Sequence, residues 1–104
     1  MRTIETTSRF RRDFKREAKG AHSKQLDVML ANAVELLATD ATMPAPYRDH
    51  ALVGDWKDFR DCHLRPDLVL IYRKPDDRVL QLVRLGSHSQ LGLGSPIDTP
   101  ARFA

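Results

Sequence analysis

The sequence predicts an α+β domain with the element order β-α-α-β-β-β, an antiparallel sheet packed against a helical hairpin. Apolar residues recur at helical spacing through the first half of the chain. Three strand-like runs, separated by proline–aspartate turns, fill residues 56–85. Between these halves lies a proline-bearing, irregular connection at 43–54, where neither period persists.

Residues 2–6 are short and β-branched, the composition of a first strand. Residues 9–19 read as an amphipathic helix, because Phe10, Phe14 and Ala18 follow one another at i,i+4 steps. Ser8 stands where an N-cap accepts from free amides, and Gly20 where a C-terminal cap belongs. The outer face of this helix is basic, with Arg9, Arg11, Arg12, Lys15, Arg16 and Lys19 opposed only by Asp13 and Glu17. A second helix carries an apolar stripe of Leu26, Met29, Leu30, Ala33, Leu36 and Leu37, with Ser23 placed to cap it. It ends near Ala38, since Thr39 to Thr42 is turn-like and Pro44 and Pro46 cannot continue a helix. Only Gly20-Ala21-His22 joins the two helices, which implies an antiparallel hairpin.

The strand-like runs cover 56–64, 68–73 and 78–85, and Arg65-Pro66-Asp67 and Lys74-Pro75-Asp76-Asp77 link them as hairpins. Residues 68–72 are nearly all apolar, the pattern of a central strand covered on both faces. Residues 1–94 thus make one domain, and 95–104 a tail in which 97–104 has no assigned structure.

A chain of 104 residues is one domain's worth of protein, and at this length roughly 65 % of the unfolded surface is buried on folding. No apolar run approaches the ~18–20 residues that span a bilayer. The N-terminal residues lack the apolar core of a signal peptide, so a cytoplasmic protein is expected. One cysteine, Cys62, excludes an internal disulfide framework and a multi-cysteine zinc site.

Three of the four histidines fall in the second half: His50 in the connection, His63 in a strand and His88 after the last strand. Histidine both takes and gives a proton near neutrality. Asp61 and His63, two apart, share a strand face, and Asp67 follows across the proline turn. By spacing alone, ordinary surface or turn residues are the favoured reading. His50, His63, Asp67 and His88 lack the short His-x₃-His spacing of zinc signatures, so no metal is assigned. Cys62 alternates with His63 and faces the opposite way, as a buried, inert thiol would. Lys57, Arg60, Arg65, Arg73 and Arg84 lie on or beside the strands, interleaved with Trp56, Phe59 and Tyr72. That combination suits a polyanion. The alternative is a solvated charged face over core aromatics, and for Trp56 and Phe59 the core reading is favoured.

Read together, Asp49-His50, Leu52-x-Gly54-x-Trp56, Arg60-Asp61-x-His63, Asp67 and the Gly86-x-His88 ending resemble the YafQ branch of the RelE-like toxins, bacterial toxin–antitoxin mRNA interferases. With the run from Leu68 to Arg73 and both helices, the likeness spans roughly residues 1–92. It implies the same β-α-α-β-β-β fold and a toxin that enters the ribosomal A site and cuts mRNA there. It implies a catalytic set at His50, His63, Asp67 and His88, no cofactor, and a cognate acidic antitoxin as partner. Lys57, Arg60, Arg65 and Arg73 are, from charge and placement, the candidate phosphate-binding residues. One position departs: where the compared member of that family carries a phenylalanine four residues after its last histidine, this chain has Gly92. Two rival functions share the scaffold, a gyrase-poisoning toxin and a catalytically silent RNA- or antitoxin-binding module.

Overall fold

The first helix begins one residue earlier than its apolar spacing suggests, because Thr7 rather than Ser8 is its cap. The Thr7 hydroxyl oxygen accepts the Phe10 backbone N–H at 3.0 Å, satisfying one of the amides every helix start leaves free. This computed structural model describes residues 1–20 and 23–93. It contains strand β1 (Thr3–Thr6), helix α1 (Ser8–Ala18), helix α2 (Leu26–Ala38), strands β2 (His50–Ala51), β3 (Arg60–Arg65), β4 (Leu68–Arg73) and β5 (Val79–Gly86). Single 3₁₀ turns lie at Ala45–Tyr47 and Gly54–Trp56. The linker residues Ala21 and His22 and the expected tail lie outside the described residues.

Helix α2 ends at Ala38 as the prolines require, but Gln25, not Ser23, sits at its N-cap, without a side-chain bond. The strand expected from residue 56 starts only at Arg60, because Gly54, at φ +67°, opens a tight turn through Trp56. The connection hides a two-residue strand, β2, too short to show any alternation.

The sheet order is β1-β5-β4-β3-β2. The three hairpin-type pairings are antiparallel, while β1 runs parallel to β5. The sheet is therefore mixed rather than antiparallel throughout. Turn chemistry reports only on consecutive strands, and β1 meets β5 after the whole intervening chain has crossed over.

Alternation along β4 builds two apolar layers. Leu68, Leu70 and Tyr72 join Cys62, Leu80, Leu82 and Leu85 beneath Phe10 of α1 and Leu26 and Leu37 of α2. Val69 and Ile71 point the other way, into a smaller layer with Leu52, Leu91 and Leu93, against which Trp56, Phe59 and Val83 pack. Strand β4 is thus covered on both faces, as its unbroken apolar run requires. Each fully buried aliphatic side chain here is worth about 1.5–3 kcal/mol.

Helix α1 is also fastened to β5 by charge. The buried Asp13 carboxylate accepts from Arg84 Nε at 2.7 Å, Arg16 Nη1 at 2.9 Å and the Leu85 N–H at 3.0 Å. Burial alone raises the Asp13 pKa, but the hydrogen bonds from Arg84, Leu85 and Arg16 outweigh it, and the net shift is downward. Arg16 Nη2 further donates to the Leu85 carbonyl at 2.8 Å, so close that a Cβ on Gly86 would stand 2.8 Å from it. Glycine at 86 thus lets α1 clamp the strand end that leads to His88. Among the described residues no helix is long and apolar enough to cross a membrane.

Candidate active site

On the sheet face away from the helices, strand register aligns His63 of β3 with Val69 of β4, and Val69 with Gly86 of β5. His88 follows two residues beyond that row. On the other side of β3, His50 of β2 stands opposite Asp61. Three distant stretches of sequence thereby bring their imidazoles together. The His63 and His88 ring centroids are 5.1 Å apart and those of His50 and His63 6.5 Å.

Each ring is held by one nitrogen. His88 Nδ1 donates to Asp67 Oδ1 at 2.6 Å, and the same oxygen accepts the His88 backbone N–H at 3.0 Å. His63 donates to the Pro66 carbonyl. His50 Nδ1 donates to the Arg48 carbonyl at 2.7 Å, and Asp61 Oδ1 lies 3.0 Å from the same nitrogen. A carbonyl or carboxylate oxygen only accepts, so the tethered nitrogen carries the proton and the second nitrogen of a neutral ring is a free base.

The charges around these rings differ. Hydrogen bonds from the His88 backbone and ring lower the Asp67 pKa, keeping it an anion. The His63 pKa is lowered, first by burial and then by the fields of His88, His50 and Arg48. Burial raises the Asp61 pKa to about 6, against the opposing pull of His50 and His88. Burial also pushes the Cys62 thiol far up, and Cys62 lies in the helix-side layer, facing away from His63 as its alternation predicts.

All four expected catalytic residues, His50, His63, Asp67 and His88, converge. The expected phosphate-binding residues do not all follow. Arg65 borders a depression of about 570 Å³ that His63 and Arg48 also line; its guanidinium donates to Met29 Sδ at 3.1 Å and to Gln25. Arg60 belongs to the helix-facing side of β3, where it donates to Asp49 at 2.9 Å and to the Tyr72 hydroxyl at 3.3 Å. Arg73 sits at the far end of β4, bonded to Gln81 at 2.7 Å and stacked over Phe59 at 5.6 Å. Lys57 is exposed just after the Gly54–Trp56 turn. Arg84 is consumed by Asp13.

Two residues of the site stand outside the expected catalytic set. Asp61 joins His50 only because β2 exists. Arg48, exposed beside His63, adopts φ +49°, a left-handed conformation that costs a non-glycine residue about 1–3 kcal/mol and recurs at functional sites. Among the described residues no three His, Cys, Asp or Glu side chains converge as metal ligands would.

Known proteins resemble this chain over most of its length. The family described as "Bacterial toxin of type II toxin-antitoxin system, YafQ" matches residues 2–93. The mRNA interferase toxin YafQ of Escherichia coli strain K12 is 36% identical over 90 residues, covering 86% of this chain and 95% of its own. The crystal structure of a metal-bound toxin from Helicobacter pylori superposes with a TM-score of 0.72 at 44% identity, over 88% of this chain and 99% of that one. The E. coli DinJ–YafQ complex gives a TM-score of 0.70 at 33% identity, over 88% of this chain and 98% of its counterpart.

Proposed function

The chain belongs to the YafQ family of bacterial toxins from type II toxin–antitoxin systems, and on that footing we propose that it is a ribosome-dependent endoribonuclease that cleaves mRNA by acid–base catalysis without a metal. The observation that carries this reading is the cluster of three imidazoles, each anchored through one nitrogen and free at the other. Cleavage by the substrate's own ribose needs a base to remove the 2′-hydroxyl proton while that oxygen attacks the adjacent phosphorus. It needs an acid to protonate the departing 5′-oxygen, and cations to hold the charge of the phosphorane.

His88 is suited to be the acid. The Asp67 carboxylate on Nδ1 stabilises its imidazolium, which presents the Nε2 proton to the leaving oxygen. The base must accept a positive charge during the reaction. His63 is a poor place for that charge, since burial and neighbouring cations disfavour it. A neutral His63 instead sits between the other two rings, its N–H on the Pro66 carbonyl and its second nitrogen left to accept from a ribose hydroxyl. His50, half-exposed and beside a carboxylate, is the better base. Arg48 and Arg65, which border the same depression as His63, are the cations placed to meet phosphate oxygens.

The E. coli relative is known in complex with DinJ. For this chain the corresponding partner is an acidic antitoxin, since α1 exposes Arg9, Arg12, Lys15 and Lys19.

The decisive substrate is an mRNA with one 2′-deoxy nucleotide on the 5′ side of the scissile bond. It resists cleavage while the unmodified message yields a 2′,3′-cyclic phosphate or 3′-phosphate end and a 5′-hydroxyl end. Cutting of both messages at equal rates refutes the mechanism. If neither is cut, the chain is a silent binder or, should DNA supercoiling be inhibited, a gyrase poison.

A further inference from the structure

Asp61 is 1% exposed, and its Oδ1 is the single buried side-chain oxygen or nitrogen left without a hydrogen bond among the described residues. It lies 3.0 Å from His50 Nδ1, yet that nitrogen directs its proton at the Arg48 carbonyl, 2.7 Å away. A buried carboxylate oxygen with no donor is costly. Here it is retained in register with one ring of the histidine cluster.

We propose that Asp61 is a positioning residue for RNA cleavage: its buried carboxylate keeps the His50 ring turned with Nδ1 inward and Nε2 free, and stabilises the positive charge His50 acquires on taking the 2′-hydroxyl proton. In the resting state the Nδ1–H serves the Arg48 carbonyl, and the carboxylate charge faces a neutral ring. When Nε2 takes the proton, the same Nδ1–H belongs to an imidazolium 3.0 Å from an anion, and the unpaired charge gains its partner. The carboxylate thus interacts more strongly with the state that follows proton transfer than with the one before it, which is the condition for lowering a barrier. The charged and titratable groups acting on Asp61 are His50 from β2, His88 beyond β5, and Asp49 and Arg60 near the edge of the sheet. Asp67 plays the parallel part for His88, so each outer ring of the cluster has its own carboxylate, one exposed and one buried.

The inference rests on the acid–base reading above, and its tests separate the two. Asp61→Asn keeps the shape and removes the charge. It slows cleavage on the ribosome by about 10–100-fold, the range seen when a partner that orients a functional histidine is lost. The loss falls on kcat, with KM unchanged, and the acidic limb of the pH–rate profile moves to lower pH. Because Asp61 acts through His50, adding Asp61→Asn to His50→Ala slows the enzyme no further. Equal slowing in both backgrounds, or an unmoved acidic limb, overturns the proposal. A reading on the wild-type chain needs no variant to fold: the Asp61 carboxyl carbon signal in NMR reports an ionised group at the pH of maximal activity. A protonated Asp61 there refutes the proposal. Cleavage of the 2′-deoxy message would instead refute the mechanism, leaving the NMR reading untouched.

Discussion

His88 and Asp67 meet twice, because one carboxylate oxygen of Asp67 accepts both the backbone N–H of His88 at 3.0 Å and its ring Nδ1–H at 2.6 Å. A proline turn thereby sets both the position and the tautomer of a histidine 21 residues further on. His88→Ala slows mRNA cleavage on the ribosome by at least ~10²-fold, the contribution of one acid–base group, and His63→Ala, which removes the ring between the acid and the base, slows it as well. Asp67→Asn weakens the reaction less, by about 10–100-fold, and leaves stability little changed because the carboxylate is largely exposed. Wild-type rates in correctly folded His63 and His88 variants would remove them from the mechanism.

Cleavage persists in EDTA at a concentration that leaves ribosomes intact, and adding divalent transition metals back does not raise the rate. The H. pylori relative crystallised with a metal makes this measurement discriminating. Activity lost to the chelator and restored by one metal would show metal chemistry at this site.

Gly92 closes the turn that carries His88. Its N–H donates to the Ser89 carbonyl at 3.2 Å and the Leu93 N–H to the His88 carbonyl at 2.7 Å, the paired bonds of a Schellman closure. Its φ of +74° is left-handed, while nothing lies within 4 Å of where a Cβ would stand. Glycine here suits the backbone conformation. Gly92→Ala therefore lowers stability by about 1 kcal/mol through strain alone. Urea unfolding midpoints measure it, and equal midpoints would show that the turn relaxes freely.

Asp13→Ala removes the acceptor for Arg84, Arg16 and the Leu85 N–H together. Leaving a part-buried guanidinium and a buried amide unpaired costs about 3 kcal/mol. Denaturant unfolding tests this directly, and a loss below 1 kcal/mol would mean that water replaces the carboxylate.

Two aspartates impose opposite pH dependences on stability. Asp13 has a lowered folded-state pKa, so its contribution is present above the unfolded value near 3.8 and is lost as pH falls through the folded value. Asp61 has a raised one, about 6; its contribution is complete below pH 3.8, the ordinary value, and is lost as pH rises through 6. The stability of Asp61→Asn relative to wild type accordingly increases between pH 4 and 6 and then levels off. A constant difference across that range would show that Asp61 titrates normally.

Much of this was legible in the residues themselves. The i,i+4 spacing of Phe10 and Phe14 is a local rule, and Pro44 and Pro46 must follow a helix end wherever they occur. The alternation of Cys62 with His63 assigns opposite faces before any fold is known. The resemblance supplied the grouping of His50, His63, Asp67 and His88, because it rests on spacings that no single element determines.

What the sequence alone determined, then, is what depends on neighbours along the chain: two helices, three strands joined by Pro-Asp turns, and the buried thiol. What only the tertiary structure decided depends on chain segments meeting. The parallel pairing of β1 with β5 joins the two ends of the domain, which no turn signal reports. The short β2 has too few residues to show a period, and with it came the contact between His50 and Asp61. Arg60 and Arg84, cationic and well placed by spacing, are committed to Asp49 of the connection and Asp13 of α1 instead, carboxylates that only the folded chain brings to them.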